Sequence, residues 1–175
     1  MNEMNIKKQD SQKKPSLLNI LFGIFIFLVI LYFVYEPAPF TREEAYQIKC
    51  MTNLSRLGKA LRKYAQDYNN VYPTPEKWCD LLALPEEISR CPGGKGSRCD
   101  YAMNPNCEPN SPEEMVLLFE STGGWNQFGG PELLNLQNHN GNGCSVLFND
   151  FHLEFVESDQ LEKLKWKNSE VSGNE

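Results

Sequence analysis

Residues 17–35, LLNILFGIFIFLVILYFVY, run for 19 positions without a charge, and only Asn19 and Gly23 interrupt their apolar character. As a helix such a run rises about 28 Å, close to the hydrocarbon thickness of a bilayer. It reads as a transmembrane helix that sets the remaining 140 residues on one side of a membrane. That excludes an ordinary cytosolic enzyme.

Flanking charge gives the orientation. Segment 1–16 holds Lys7, Lys8, Lys13 and Lys14, whereas the 15 residues after the span hold Arg42 and Lys49 beside Glu36, Glu43 and Glu44. A Lys/Arg excess before the span predicts a cytoplasmic N-terminus and an exported C-terminal body. Tyr32 and Tyr35 fall at the exported end, where amphipathic rings favour the headgroup level. A cleaved signal peptide would carry a shorter apolar core, about 7–15 residues, before a small-residue cleavage site. Here the run exits into Tyr35-Glu36-Pro37-Ala38-Pro39, and no cysteine follows closely enough for lipid modification. A retained signal-anchor is expected.

All six cysteines, Cys50, Cys79, Cys91, Cys99, Cys107 and Cys144, follow the span. An even count in an exported domain reads as disulfides with no thiol left over. With no Cys-x-x-Cys pair, a thioredoxin-like site or a zinc ribbon has little support. Cys91, Cys99 and Cys107 recur every eight residues in CPGGKGSRCDYAMNPNC, so bridges stapling this apolar-poor loop are expected. Spacing does not choose among the pairings. The net charge is −6, and the part beyond residue 35 carries 13 basic against 21 acidic side chains. That balance argues against nucleic acid as a partner and against attraction to an anionic membrane surface. The exported length suits one small domain.

Pro37 and Pro39 break the span helix in segment 36–41, and Thr41 with Glu44 forms a capping-box pattern that starts another. Ala45, Ile48, Met51, Leu54, Gly58, Leu61, Ala65 and Tyr68 then recur at helical spacing, with Lys49, Asn53, Arg56, Lys59, Arg62 and Lys63 mainly on other faces. This predicts an amphipathic helix of about 27 residues ending at Asn69-Asn70. Thr74-Pro75 opens a short helix carrying Trp78, Leu81 and Leu82. Residues 100–103 and 115–120 read as strands, and 144–156 as a hairpin turning at Asn149-Asp150-Phe151. Ser158 starts a short terminal helix through Trp166, and 167–175 is a tail. The domain 42–166 is therefore α+β, a long helix packed on a small antiparallel sheet, since neither can bury its apolar face alone.

The segment Cys50-Met-Thr-Asn-Leu-Ser-Arg-Leu-Gly-Lys-Ala-Leu-Arg-Lys-Tyr-Ala is similar to the one after the hydrophobic helix of bacterial type IV pilin-like proteins, the type II secretion pseudopilins. Tyr72-Pro73, Trp78, Cys91-Pro92, Tyr101-Ala102-Met103-Asn104, residues 116–120, residues 129–134, His139 and the hairpin follow in matching order. The chain resembles the set with a C-terminal His-x9-Asp-Gly signature, carried here by His139 and Asp150. The resemblance implies a pilin-like fold and a structural role, with other pilin-like or secretion-system proteins as partners, at the bacterial inner membrane. Two departures stand out. The signature reads His139-x10-Asp150-Phe151, so a turn that needs glycine there must take another geometry. The span also lacks a prepilin leader junction and an intramembrane Glu, which points to a permanent tether.

Candidate sites are few. Asn142, Asn149 and Asp150 could offer oxygens to calcium, but hard cations want several carboxylates, and Asn-Gly pairs are commonly turn chemistry. His139 and His152 lack a nucleophile or metal partner at a recognisable spacing, so exposed or hydrogen-bonded histidines are expected rather than catalytic ones. Gly93-Gly94-Lys95-Gly96-Ser97 lacks the phosphate-loop spacing. Trp125 and Phe128, in a Gly-rich loop, could stack on a sugar or partner protein or cap the core. No cofactor and no catalytic residue is implied. The alternative reading is a membrane-tethered binding module for a glycan, calcium or an envelope protein.

Overall fold

The computed structural model describes residues 16–35, 41–94 and 98–168. The basic N-terminus, the proline break at 36–40, Lys95-Gly96-Ser97 and the tail from 169 lie outside them. The chain divides between Pro39 and Phe40 into two units.

In the first unit, helix α1 (Leu17–Tyr35) is long and apolar enough to cross a membrane, and none of its residues is buried. Its span matches the predicted one.

The second unit is an α+β domain. Helix α2 (Arg42–Asp67) begins with the predicted capping box: the Glu44 N–H donates to Thr41 Oγ1 at 3.2 Å, and the Thr41 N–H donates to Glu44 Oε2 at 2.7 Å. It ends where Asn69 and Asn70 turn left-handed, at φ 54° and 57°. The Asn70 N–H closes the end on Ala65 O at 2.7 Å.

The buried stripe of α2 is Cys50, Asn53, Leu54, Leu57, Gly58, Leu61 and Ala65, rotated from the expected one. Ile48 and Tyr68 are instead 52% and 57% exposed. Asn53, expected on a polar face, donates Nδ2 to Arg90 O at 2.7 Å. Two local facts set the rotation. Cys50 is drawn inward by a disulfide, and Gly58 has no Cβ to hold off Leu147, whose Cδ2 would lie 2.9 Å from one.

After short helices α3 (Trp78–Leu81) and α4 (Glu86–Ser89), strands β1 (Tyr101–Met103), β2 (Val116–Glu120), β3 (Gly143–Phe148) and β4 (Leu153–Glu157) form an antiparallel meander in chain order. A register shift between Val116 and Leu118 turns both Leu117 and Leu118 toward the helix side. There they join Leu54, Leu57, Leu61, Tyr101 and Leu147. Val116, Phe119, Val146 and Phe148 point the other way, under Leu133, Leu134, Leu136 and Trp166. β2 and β3 are thus buried on both faces.

The covering of that second face differs from expectation. In place of a terminal helix there is one 3-10 turn (Leu161–Lys163), then an extended segment. The Val116 N–H donates to Lys165 O at 2.9 Å, and Trp166 meets Phe119 edge to face at 4.9 Å. Phe119 and Val146 need an apolar lid more than this short segment needs helical hydrogen bonds.

The hairpin turn also corrects its expectation. Phe151 keeps the left-handed backbone, at φ 70°. Its ring lies 4.1 Å under the Arg62 guanidinium and packs on the core, which offsets the backbone cost.

Leu57→Ala should destabilise the domain by about 2–5 kcal/mol, and Ile48→Ala by less than about 0.5 kcal/mol, in denaturant unfolding of the detergent-solubilised chain. The reverse order would put the stripe where the sequence alone places it.

Candidate functional site

Strand alternation sends Glu120, the last residue of β2, to the helix side, where it is fully buried. Its Oε2 accepts the Ser145 N–H at 2.6 Å and its Oε1 lies 3.0 Å from His139 Nε2. His139 closes the 3-10 turn Gln137–His139 and is also fully buried. Its Nδ1 lies 2.8 Å from Glu43 Oε1 in the first turn of α2. Asn140, left-handed at φ 55°, donates Nδ2 to Glu43 Oε2 at 2.8 Å. The Phe155 ring meets the imidazole edge to face at 5.3 Å.

Ionised carboxylates only accept hydrogen bonds, so an imidazole between two of them is best satisfied as the imidazolium. Burial pushes the His139 pKa down, but the carboxylates of Glu120 and then Glu43 outweigh it, and the net shift is upward. The imidazole thus sits between two carboxyl groups inside the fold.

Against this relay lies the Cys50–Cys91 disulfide, with Cα atoms 5.4 Å apart. Cys91 Sγ is 3.9 Å from His139 Nε2. The loop after α4 is therefore not stapled to itself: Cys91 reaches back to α2. Cys107 and Cys144 are buried thiols, each pushed up to about 12, chiefly by burial. The Cys79 and Cys99 side chains hydrogen-bond to each other. That bond draws the Cys79 thiol down against the effect of burial, and the Asn126 N–H adds to it from 3.3 Å. The expectation of a wholly disulfide-bonded set gives way to one covalent bridge and buried thiols.

The two signature residues are not brought together. His139 docks on the first turn of α2, whereas Asp150 sits in the β3–β4 turn, accepting the His152 N–H at 2.9 Å. The calcium candidates are also spread apart, since Asn142 precedes β3 while Asn149 and Asp150 follow it. The Asn149 amide is committed to Tyr72 Oη at 2.9 Å and Ser111 O at 2.7 Å. Trp125 donates Nε1 to Asp80 at 2.7 Å under the Arg98 guanidinium at 4.0 Å, which ties the Gly-rich loop to α3. Phe128 stays 40% exposed beside Met103.

Compared with protein-family models, curated proteins and solved structures, the chain finds no match.

Sequence reasoning singled out His139 but missed Glu43 and Glu120. The available signal was a carboxylate closing the apolar run MVLLFE, since buried Glu is rare without a partner.

Glu120→Ala should cost about 3–5 kcal/mol in denaturant unfolding, because the His139 charge loses its buried partner. His139 binds its proton more tightly when folded, so its contribution is complete below about pH 6.5 and is lost as pH rises through the folded pKa. The Tm gap between the oxidised wild type and His139→Gln should be widest below about pH 6.5 and narrow as pH rises. A gap that does not change with pH would mean that the ring is held neutral.

Proposed function

We propose that this chain is a non-enzymatic, single-pass tether carrying a pilin-like head outside the cytoplasm, an accessory of a secretion or pilus-type assembly. The observation that carries the reading is the order of parts: a lipid-length apolar helix, then a capped helix laid on a four-stranded antiparallel meander. This is the architecture that the sequence resemblance implies.

The bridges on α2 fit such a role. Cys50 is covalently joined to Cys91, and Glu43 is held by His139 and Asn140 from the turn before β3. The start of α2 is therefore tied to the loop after α4 by a disulfide and to the turn before β3 by the Glu43–His139 contact, as well as to the sheet by apolar contact. A head that transmits force through its first helix needs such a weld.

The span supports a fixed anchor rather than a polymerising subunit. It has no carboxylate to pair with a neighbour's N-terminal amine inside the membrane. The Lys-rich segment before it and the disulfide behind it both favour an exported head. The Gly-rich loop around Trp125 supports a binding role less well, because its indole is already committed to Asp80 and Arg98.

Intact-mass measurement on the chain extracted from bacterial inner membranes should show the unprocessed mass, and external protease on spheroplasts should digest the head. A shortened chain with an N-methylated new terminus would overturn the fixed tether in favour of a polymerising pilin. A protected head would overturn the orientation.

A further inference from the structure

The disulfide lies inside a set of metal-ligand atoms. Cys50 on α2, Cys91 after α4, Glu120 on β2 and His139 on the turn before β3 each offer one donor atom. All four residues are buried, and the four atoms lie within 4.8 Å of one another. We propose that reduction of the Cys50–Cys91 bond converts this cluster into a four-coordinate zinc site with two thiolates, one imidazole and one carboxylate.

The geometry is near what zinc requires. A zinc tetrahedron with metal–sulfur bonds of about 2.3 Å and metal–nitrogen or –oxygen bonds of about 2.0 Å spaces its donors roughly 3.3–3.8 Å apart. His139 Nε2 lies 3.0 Å from Glu120 Oε1 and 3.9 Å from Cys91 Sγ. Once the sulfurs part, small side-chain shifts complete the figure.

The surrounding groups are also those of a metal centre. A ligating histidine is normally oriented by a carboxylate on its other ring nitrogen, and Glu43 stands 2.8 Å from Nδ1, which leaves Nε2 for the metal. Glu120 Oε2 is fixed by the Ser145 N–H, leaving Oε1 directed at the cluster. Ser145 Oγ is itself buried with no hydrogen-bond partner among the described residues. Two soft thiolates with an imidazole favour zinc over calcium or magnesium, which want oxygen ligands throughout.

The conversion balances with a dithiol as reductant. The dithiol closes to its cyclic disulfide and supplies two electrons and two protons, so the Cys50–Cys91 bond becomes two thiols. Zinc then displaces both thiol protons and the proton shared by His139 Nε2 and Glu120 Oε1, which leave to water. In either state the cluster ties α2, the loop after α4, β2 and the turn before β3 together. The grip on α2 thus persists when the disulfide cannot. The proposal does not depend on the tether reading.

The test uses the full chain in detergent, reduced anaerobically with a dithiol, exchanged into reductant-free buffer and titrated with Zn²⁺ or Co²⁺. One metal per chain should bind after reduction and none to the oxidised protein, and Co²⁺ should give thiolate charge-transfer absorption with tetrahedral visible bands. Glu43→Gln should weaken binding about 10–100-fold, as loss of an orienting carboxylate does. Cys107→Ser should leave it unchanged. Equal binding before and after reduction, or no loss in Cys50→Ser and His139→Gln, would overturn the site. Alkylation mapping reads the same point without a substitution, in case those variants do not fold. In the reduced wild type, zinc should shield Cys50 and Cys91 from a maleimide; unchanged labelling of the two would sink the proposal.

Discussion

The head is organised around one buried carboxylate. Glu120 ends a strand whose every residue is inside the fold, and an unpaired charge there would cost several kcal/mol. The chain answers with the Ser145 N–H from the neighbouring strand and with His139 from the turn before it. The other ring nitrogen of His139 needs a partner of its own, and the first turn of α2 supplies Glu43 at 2.8 Å. One strand-end carboxylate thereby connects the 137–139 turn, the neighbouring strand and, through His139, the first turn of α2.

The apolar seam repeats the same register further along the helix. Gly58 lets α2 approach Leu147 on β3, while Phe151 closes the other side beneath Arg62. Gly58 lies fifteen positions after Glu43, about 22 Å along the helix axis. The helix is thus pinned at two separated places, by paired charge and sulfur at its start and by close packing near its middle. Between them the stripe has no freedom to rotate. That explains why Asn53 is carried inside, at the cost of one buried amide oxygen with no partner among the described residues. The opposite face of the sheet is covered by irregular chain, the 131–136 stretch and the segment ending at Trp166. Hydrogen bonds from Asn104 Nδ2 to Val116 O and Trp166 O help hold that segment.

Much of the fold was legible in the chain. The lipid-length run, the Thr41–Glu44 capping box, the left-handed asparagines that end α2 and the strands and hairpin are local signals, set by neighbours within a few residues. Each appears at its expected place. The buried stripe of α2 lies part of a turn away from where periodicity places it, with Ile48 and Tyr68 outside and Asn53 inside, because periodicity does not know where the partner surface lies. The terminal helix was misjudged because propensity gave way to a demand made by Phe119, 47 positions before Trp166.

The candidate site divides along the same line. Composition and spacing determined that this chain has a membrane-length helix, an α+β head and six cysteines behind the span. The resemblance to pilin-like proteins, not composition or spacing, marked His139. Only the tertiary structure decided that Cys50 takes Cys91, that Cys107 and Cys144 are sealed thiols, and that Glu43 and Glu120 close on His139 from opposite sides. The physical reason is sequence distance. Glu43 and His139 stand 96 positions apart, and Cys50 and Cys91 stand 41 apart, so no local rule of helix, strand or turn relates them. They meet because the helix and the sheet must bury one another.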